Sequence, residues 1–329
     1  MFVPRYGSSN SLGLLDRSLV FITGKGGVGK TSVTAALGVL AAKAGKHTLI
    51  CEVDAKGDIA RLLDCEPSGF EPTEIRENLF LMSMNTEEAL REYLRIYLRV
   101  PVVAKLGPLA RTFDFIANAA PGVQEILVVG KLCYEVKEAR YDLILVDATS
   151  TGHIVSQLAS PKGISELVRL GMVKDQVAWM EDILYDSSKT SVIVVATPAE
   201  TPINEALELA GRIDNETDVH LGALIVNKVM PELFSRSEEE FFTLLQDPKA
   251  IKVLNKVIPG DIELLLRGSN AALEMRRCAD PYVERLISGV GTVPTALLPL
   301  MFGVGSRMKL VRDLGEAIAA EWDDFLWQG

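Results

Sequence analysis

The residues best suited to chemistry lie together near the start of the chain, in the stretch Gly24-Lys25-Gly26-Gly27-Val28-Gly29-Lys30-Thr31. This stretch fills every fixed position of the pattern G-x-x-x-x-G-K-[ST]. Its glycines allow the backbone to turn several N–H groups inward around a polyphosphate. Lys30 is placed to reach the β- and γ-phosphates, and the Thr31 hydroxyl can bind Mg²⁺. The pattern therefore predicts a site for the phosphates of a nucleotide and for Mg²⁺.

The segments on either side of this stretch must position it. The apolar residues 19–22 predict a strand, and the Ala-rich segment 32–44 predicts a helix. A helix that begins at the end of the loop directs its partial positive charge towards a phosphate. The alternative is a glycine-rich turn that only joins the strand to the helix. We assign phosphate binding to Gly24, Lys25, Gly26, Gly27, Val28, Gly29, Lys30, Thr31 and Ser32.

The second lysine of the stretch, Lys25, narrows the interpretation. The sequence G-K-G-G-V-G-K-T resembles the deviant Walker A motif of the signature-lysine ATPases. These include the arsenite-pump ATPases, the tail-anchored-protein targeting factors, MinD and ParA, and the nitrogenase iron protein. The resemblance implies a sandwich dimer in which Lys25 acts catalytically on the nucleotide of the partner subunit. The alternative for Lys25 alone is a solvated loop lysine.

Asp54 follows the second predicted strand, in the run Glu52-Val53-Asp54-Ala55. A carboxylate at this place can orient a water molecule for attack on the γ-phosphate. The signature-lysine ATPases carry an Asp-Pro motif in the equivalent switch, and Asp54 matches its aspartate while Ala55 replaces the proline. We expect a catalytic, water-orienting role for Asp54. The alternative is an N-cap for the helix predicted at 59–63, a role that suits Asp58 better.

Asp147 ends another apolar strand, predicted at 142–146. A strand that delivers a carboxylate to Mg²⁺ or to its water shell is the Walker B arrangement. The residues that follow, Ala148-Thr149-Ser150-Thr151-Gly152-His153, resemble the switch II of the arsenite-pump and targeting-factor branch. We expect Asp147 to act in the outer shell of the metal. Gly152 is expected to let a backbone N–H approach the γ-phosphate.

Three further residues are candidates for contact with the nucleotide base. Asn227 follows the predicted strand 222–226, and in the resembling family an asparagine there bonds adenine. A side-chain amide offers both a donor and an acceptor. A turn-forming asparagine is the alternative. Pro299 and Leu300 belong to a stretch similar to one that lines the adenine pocket in that family.

Alternating apolar runs and helical patterns predict an α/β fold with a doubly wound, mostly parallel sheet. The continuous runs indicate strands that are covered on both faces. In such sheets the sites lie beyond the carboxyl ends of the strands, where all the candidate residues occur. The predicted strands are residues 18–23, 48–53, 79–84, 142–146, 191–197, 222–226 and 295–300.

The 329 residues predict one ATPase domain over 18–329, preceded by a loose leader at 1–17. Two helical insertions are expected at about 86–140 and 231–290. In relatives the first region holds a client or a metalloid, but ordinary helix cover for the sheet is an equally good interpretation. The last helix is predicted at about 306–326.

Charge and composition limit the partners. A formal net charge of −10 opposes binding to nucleic acid and to anionic membranes. No apolar run reaches the roughly 18 residues that a membrane-spanning helix needs, so we expect no direct membrane insertion. The four widely spaced cysteines predict free thiols in a reducing cytoplasm. We expect a cytoplasmic protein that reaches a membrane, if at all, through a partner.

The resemblance to ArsA-like anion-transporting ATPases implies Mg²⁺-dependent ATP hydrolysis in a homodimer, or in a heterodimer with a related ATPase subunit. Three hypotheses stay open. The ATPase could energise a membrane-protein partner, or act as a chaperone-like carrier of an apolar client. It could also be a low-turnover half of a hetero-pair. "Arsenite" names the family here and not a substrate, because convergent thiols for As(III) cannot be recognised in the sequence.

Overall fold

The apolar runs of the sequence form one sheet in the computed structural model, which describes residues 13–54, 56–97, 122–149, 151–167, 172–303 and 305–327. Eight strands of this described part join in the order β3-β4-β2-β5-β1-β6-β7-β8. They are β1 (Leu19–Gly24), β2 (Thr48–Glu52), β3 (Thr73–Arg76), β4 (Leu79–Ser83), β5 (Leu143–Asp147), β6 (Thr190–Ala196), β7 (Leu221–Val229) and β8 (Thr295–Pro299).

Every neighbouring pair of strands is parallel except β3 and β4. The predicted doubly wound, mostly parallel α/β fold is therefore confirmed. All seven predicted strands are present, with ends that differ by at most three residues. The eighth strand, β3, was missed because three of its four side chains are exposed and it has no apolar run.

The strand β1 lies at the centre of the sheet, between β5 and β6. Its six residues are all buried, which explains a continuous apolar run without alternation. The chain connects β1 to β2, which lies on one side of β1. It later connects β5, on that same side, to β6 on the other side of β1, so the strand order reverses at β1. Ligand sites of open α/β sheets occur at such a reversal, beyond the carboxyl ends of the strands.

Helices cover both faces of the sheet. On one face, α1, α2 and α11 pack over β1 and its neighbours; the other face carries α4, α5, α6, α7 and α10. The helices are α1 (Lys30–Lys43), α2 (Asp58–Leu62), α3 (Thr86–Tyr97), α4 (Val123–Glu138), α5 (Thr151–Leu167), α6 (Met172–Leu184), α7 (Glu200–Glu216), α8 (Arg236–Leu245), α9 (Pro248–Val257), α10 (Ile262–Val290) and α11 (Arg307–Leu326).

The start of the described chain departs from the loose leader expected at 1–17. Leu14 and Leu15 lie in a short 3-10 helix and are fully buried in the core beneath α11. The Arg17 guanidinium donates to the carbonyls of Gly13 (3.2 Å) and Ser187 (2.8 Å). Residues 13–17 therefore belong to the folded domain, and the rest of the predicted leader lies outside the described residues.

The two expected helical insertions differ in how much of them is described. In the first, α3 and α4 are present and residues 98–121 lie outside the described part. In the second, α8, α9 and the start of α10 enclose a small separate core around Phe242, Ile262 and Leu266. Among the helices of the described ranges, none is both long enough and apolar enough to cross a bilayer.

Candidate nucleotide site

The phosphate loop connects β1 to α1 through glycines, three of which have backbone angles that other residues rarely adopt. Gly24 has a φ of +147°, and a Cβ built there would lie 2.1 Å from the carbonyl oxygen of Val195. Gly27 and Gly29 also have positive φ angles, of +84° and +99°. At Gly26 and Gly27 an added Cβ would meet no atom of the described residues within 4 Å. The loop therefore has an open side where a polyphosphate can approach the backbone.

The helix α1 begins at Lys30 with no side-chain cap on its first turn and no acidic residue in it. The N-terminal N–H groups of a helix need a partner, and uncapped ones bind anions readily. Thr31 and Ser32 lie in this first turn, where the sequence predicts phosphate and metal contacts. The geometry suits those roles, which stay predictions.

The Lys30 ammonium lies over the loop, with Nζ 3.4 Å from the carbonyl oxygen of Lys25. Burial lowers the pKa of Lys30, and the nearby carboxylates of Asp147 and Asp54 act in the opposite direction. These two acidic residues are therefore close enough to Lys30 to act on its charge. The structure brings the three predicted polar groups to the same edge of the sheet.

Asp147 ends β5 and is opposite both Ile22 of β1 and Glu52 of β2. Burial raises its pKa to about 6, although a hydrogen bond with the Thr31 side chain and the charge of Lys30 oppose that rise. Its Oδ1 atom is buried and has no hydrogen-bond partner among the residues that the structure describes. A buried acceptor without a partner, next to the predicted metal ligand Thr31, suits an outer-shell contact to a hydrated cation.

Sequence reasoning missed Glu52, the last residue of β2. Its side chain is buried, and Oε1 accepts a hydrogen bond from the backbone N–H of Ile59 (3.0 Å). The other oxygen, Oε2, is buried and finds no partner within the described ranges. The signal was present in the sequence, because a glutamate that interrupts the apolar run Leu49-Ile50-Cys51 needs an explanation.

Asp54 follows β2 as predicted but faces solvent. Its side chain is 62% exposed, and Oδ2 accepts a hydrogen bond from the Lys56 ammonium at 3.0 Å. The helix α2 begins at Asp58, so Asp54 is not its N-cap. Water orientation by Asp54 stays a prediction and requires this loop to turn towards the phosphates. Ala55, the replacement for the family proline, lies outside the described residues.

Asn227 is buried behind the phosphate loop. Its Nδ2 donates to the Val28 carbonyl at 2.9 Å, and its Oδ1 accepts from the Lys228 backbone N–H at 2.9 Å. The same Nδ2 would lie 2.4 Å from a Cβ at Gly29. The Nδ2 end of this amide therefore braces the loop, and the Oδ1 end is held by the backbone of β7. Contact with adenine stays a prediction.

Lys228 was also missed. It has a left-handed backbone, with a φ of +62°, and its Nζ donates to the Gly27 carbonyl at 3.0 Å. Sequence offers no signal for it, because a single lysine after a strand is usually a solvated residue. Lys228 adds a third ammonium group to the loop, after Lys25 and Lys30.

The remaining candidates lie around the same edge. The Leu300 backbone N–H donates to the Val229 carbonyl at 2.7 Å, which places Pro299 and Leu300 beside the end of β7, near Asn227. Gly152 lies in the first turn of α5 and is exposed, and no atom from the described part of the chain lies within 4 Å of an added Cβ. Lys25 turns towards α7, with Nζ 2.5 Å from Oε1 of Glu205.

These residues fit ATP with Mg²⁺ on structural grounds. The loop is open at Gly26 and Gly27, the first turn of α1 has no side-chain cap, and Asp147 has a buried oxygen without a partner. No group of three or more His, Cys, Asp or Glu side chains in the described ranges is arranged to hold a metal.

Comparison with known proteins places the chain in a family. It matches the anion-transporting ATPase family over residues 17–178 and 162–251. The two matches together span more than half of the chain, and they include the phosphate loop, Asp54, Asp147 and Asn227. The chain belongs to this family of ATPases, as the resemblance of its phosphate loop predicted.

Individual relatives share between 25% and 29% sequence identity with the chain over the aligned residues. The chain is 29% identical over 224 residues to a Mycobacterium tuberculosis protein named ATPase BagA, with 65% of each chain covered. It thus spans about 65% of the length of that relative. It is 25% identical to a putative arsenical pump-driving ATPase of Aquifex aeolicus, covering 82% of this chain and 94% of the relative. An ATPase named as an ASNA1 homologue in Paramecium tetraurelia is 26% identical, with 85% and 86% covered.

Proposed function

We propose that the protein hydrolyses ATP with Mg²⁺ and couples hydrolysis to the closing and opening of a dimer that serves an anion-transport or other membrane-associated partner. The observation that carries this proposal is the phosphate loop with Asp147 beneath it. An open loop with an uncapped helix end and a buried acceptor is arranged for a metal–triphosphate. Family membership supports ATP hydrolysis. The coupling of hydrolysis to dimer movement and to a partner is proposed in addition.

Each residue has a defined task in this proposal. The backbone of Gly26, Gly27 and Gly29 and the ammonium of Lys30 hold the phosphates. Thr31 binds the metal, and Asp147 accepts a hydrogen bond from a water molecule that is bound to the metal. Bound Mg²⁺ would neutralise charge on the β- and γ-phosphates. Asp54 orients the attacking water after its loop turns inward.

The role of the dimer in this proposal is to bring Lys25 of one subunit to the nucleotide of the other. Within one subunit this ammonium pairs with Glu205 on α7, and it is partly exposed. A lysine on a flexible stem at the edge of the site can leave such a surface pair for a phosphate, which carries more charge. We propose that Lys25 does so across the dimer and stabilises charge in the transition state of the neighbouring subunit.

The deciding experiment is ATP turnover by the wild type, Lys25→Ala and Asp54→Asn, with oligomer size measured alongside. We expect both variants to lose turnover and to keep nucleotide binding, seen as thermal stabilisation of about 2.7 kcal/mol when ATP is at a hundredfold its dissociation constant. Lys30→Ala is the control, because it should lose binding as well. Normal hydrolysis by Lys25→Ala would contradict the signature-lysine mechanism.

A second candidate function, a carrier of an apolar client, is favoured by a cavity in the first helical region. The cavity has a volume of about 200 Å³ and lies between α3, α4, α5 and α6. Its walls are mainly apolar, including Leu90, Ile126 and Met180. At its polar end, Lys131 is bonded to Glu92 at 2.7 Å and to Glu135 at 2.8 Å, so its charge is already paired. An uncharged, mainly apolar group suits such a space.

The two candidates predict different effects of filling the cavity. Gly130 lines it, and a Cβ there would lie 3.0 Å from Cε of Met180. Gly130→Val should abolish capture of a fluorescent apolar probe by a carrier and leave basal ATP turnover unchanged. Equal probe binding by the wild type and the variant would remove the carrier hypothesis.

The third hypothesis, a low-turnover half of a hetero-pair, has its own test. ATP turnover that appears only after a second ATPase subunit is added would support it.

A further inference from the structure

Glu52 is the buried carboxylate for which the proposed function has no task. Its residue is 3% exposed, and one oxygen is held by the Ile59 backbone N–H at the start of α2. The other oxygen, Oε2, has no hydrogen-bond partner, and no ion pair joins Glu52 to a lysine or arginine within the described part of the chain. Burying a carboxylate oxygen without a partner is unfavourable, so such an atom calls for a ligand.

The sheet places Glu52 beside the predicted metal residue. Glu52 and Asp147 are directly opposite each other on the parallel neighbours β2 and β5, and the charge of Glu52 acts on Asp147. Side chains at paired positions of adjacent parallel strands point to the same face of the sheet. Thr31, at the start of α1, bonds Asp147 from that face. Among the described residues, the carboxylates of Glu52 and Asp147 therefore each have a buried oxygen without a partner on the face of the sheet from which Thr31 bonds Asp147.

The chemistry of Mg²⁺ suits this pair of oxygens. Mg²⁺ keeps several of its water molecules when it binds to proteins, and those waters donate hydrogen bonds to surrounding acceptors. Residues in the outer shell of a metal commonly change its affinity by about 10- to 100-fold. Glu52 and Asp147 end strands that lie behind the helix carrying Thr31. Their carboxylates can therefore contact the waters of the metal and need no direct bond to the metal itself.

We propose that Glu52 is a second outer-shell acceptor for the hydrated Mg²⁺ of the nucleotide complex, with Oε2 acting together with Oδ1 of Asp147. This inference rests on the proposed binding of Mg²⁺ and ATP. Through Ile59, Glu52 also anchors the segment that follows Asp54. The metal shell and the loop carrying the predicted water-orienting residue are therefore joined through a single side chain.

The test is the Mg²⁺ dependence of thermal stabilisation by ATP, which needs no turnover. Glu52→Gln keeps an oxygen for the Ile59 N–H and removes the charge. We expect the half-saturating Mg²⁺ concentration to rise about tenfold, while stabilisation by ATP in EDTA stays unchanged. Asp58→Asn is the matched control, because it removes a nearby exposed charge that also acts on Asp147. Its half-saturating concentration should change less than about twofold.

An unchanged Mg²⁺ dependence in Glu52→Gln would overturn the inference, as would an equal shift in Asp58→Asn. A wild type that ATP and Mg²⁺ do not stabilise would instead overturn the proposed function. If Glu52→Gln does not fold, the wild type can be cleaved oxidatively with Fe²⁺ and ATP in place of Mg²⁺, with hydrogen peroxide as the oxidant and ascorbate as the reductant. Backbone cleavage at Glu52 as well as at Asp147 supports the inference, and cleavage at Asp147 without cleavage at Glu52 overturns it.

Discussion

The Lys25 ammonium and the Glu205 carboxylate form an ion pair within one subunit, with Nζ 2.5 Å from Oε1 and side chains 38% and 33% exposed. Lys25 belongs to the phosphate loop and Glu205 to α7, which packs on the sheet beside β6. One ammonium cannot bond Glu205 and also reach a nucleotide in the partner subunit. The pair therefore competes with the proposed action of Lys25 in trans, and its strength sets how readily the lysine is released.

Removing the charge of Glu205 should make the lysine easier to release. Half-exposed ion pairs contribute about 0.2–1 kcal/mol, so we expect Glu205→Gln to lower the protein concentration that gives half-maximal ATP turnover by about 1.4- to 5-fold. The measurement is ATPase rate against protein concentration. Glu208→Gln, an exposed change on the same helix, is the control and should leave the curve in place. A curve shifted to higher concentration would show that Glu205 assists Lys25 instead.

Gly24 and Gly26 provide a matched pair of alanine substitutions in the phosphate loop. At Gly24 the added Cβ would lie 2.1 Å from the Val195 carbonyl, and the backbone has a positive φ. We expect Gly24→Ala to lower the free energy of unfolding by about 2–4 kcal/mol, from strain and from separation of β1 and β6. At Gly26 the added Cβ meets open space.

Gly26→Ala should therefore keep its free energy of unfolding within about 0.5 kcal/mol of the wild type, since it creates no clash. It should weaken ATP binding, because the methyl group enters the space open to the phosphates. Urea denaturation and nucleotide titration measure the two quantities separately. Equal losses of stability in both variants would mean that the close approach at Gly24 has no special role.

The sheet could be predicted because its central strands are buried on both faces, which produces continuous apolar runs such as Leu19-Val20-Phe21-Ile22. The phosphate loop could be predicted because its chemistry fixes residue types at fixed spacing. The strand β3 could not, since an antiparallel edge strand with exposed side chains has no apolar pattern. The burial of Leu14 and Leu15 could not be predicted either, because two leucines beside Gly13 give no periodic signal, although both are fully buried.

The polar contacts around the phosphate loop also could not be predicted from the sequence. The bond from Asn227 to Val28 joins residues that are 199 positions apart, and that of Lys228 to Gly27 spans 201. Such contacts depend on β7 reaching the same sheet edge as β1. Glu52 stood out in the sequence, but its significance required the pairing of β2 with β5. A pattern indicates which residues can do chemistry, and the topology decides which of them meet.

The bond from Asn227 to the phosphate loop leads to a prediction that separates bracing from base recognition. Asn227→Ala leaves the Val28 carbonyl without its donor, which typically destabilises a buried site by about 1–3 kcal/mol. We expect the variant to bind both ATP and inorganic triphosphate more weakly, because the loop itself loosens. Triphosphate has no base, so it reports bracing alone. A variant that binds triphosphate normally but ATP weakly would assign Asn227 to the base only.

Asp147 gives a pH-dependent prediction in protein freed of nucleotide and metal with EDTA. Burial raises its pKa from 3.8 to about 6 in the folded state. A carboxyl group with a raised folded pKa favours folding below about pH 4. That contribution is lost as the pH rises through 6, where the buried group must ionise. At pH 7–8 the ionised Asp147 therefore destabilises the free protein.

Asp147→Asn removes this ionisation while keeping the shape of the side chain. We expect the variant to be more stable than the wild type at pH 7–8, by up to about 3 kcal/mol, with the difference disappearing towards pH 4. Urea denaturation at intervals between pH 4 and pH 8 measures it. The same variant should lose the Mg²⁺-dependent part of its stabilisation by ATP, because the outer-shell acceptor is weakened. A stability difference that stays constant across this pH range would show that Asp147 ionises as easily as an exposed carboxyl group, and its buried oxygen would then have another explanation.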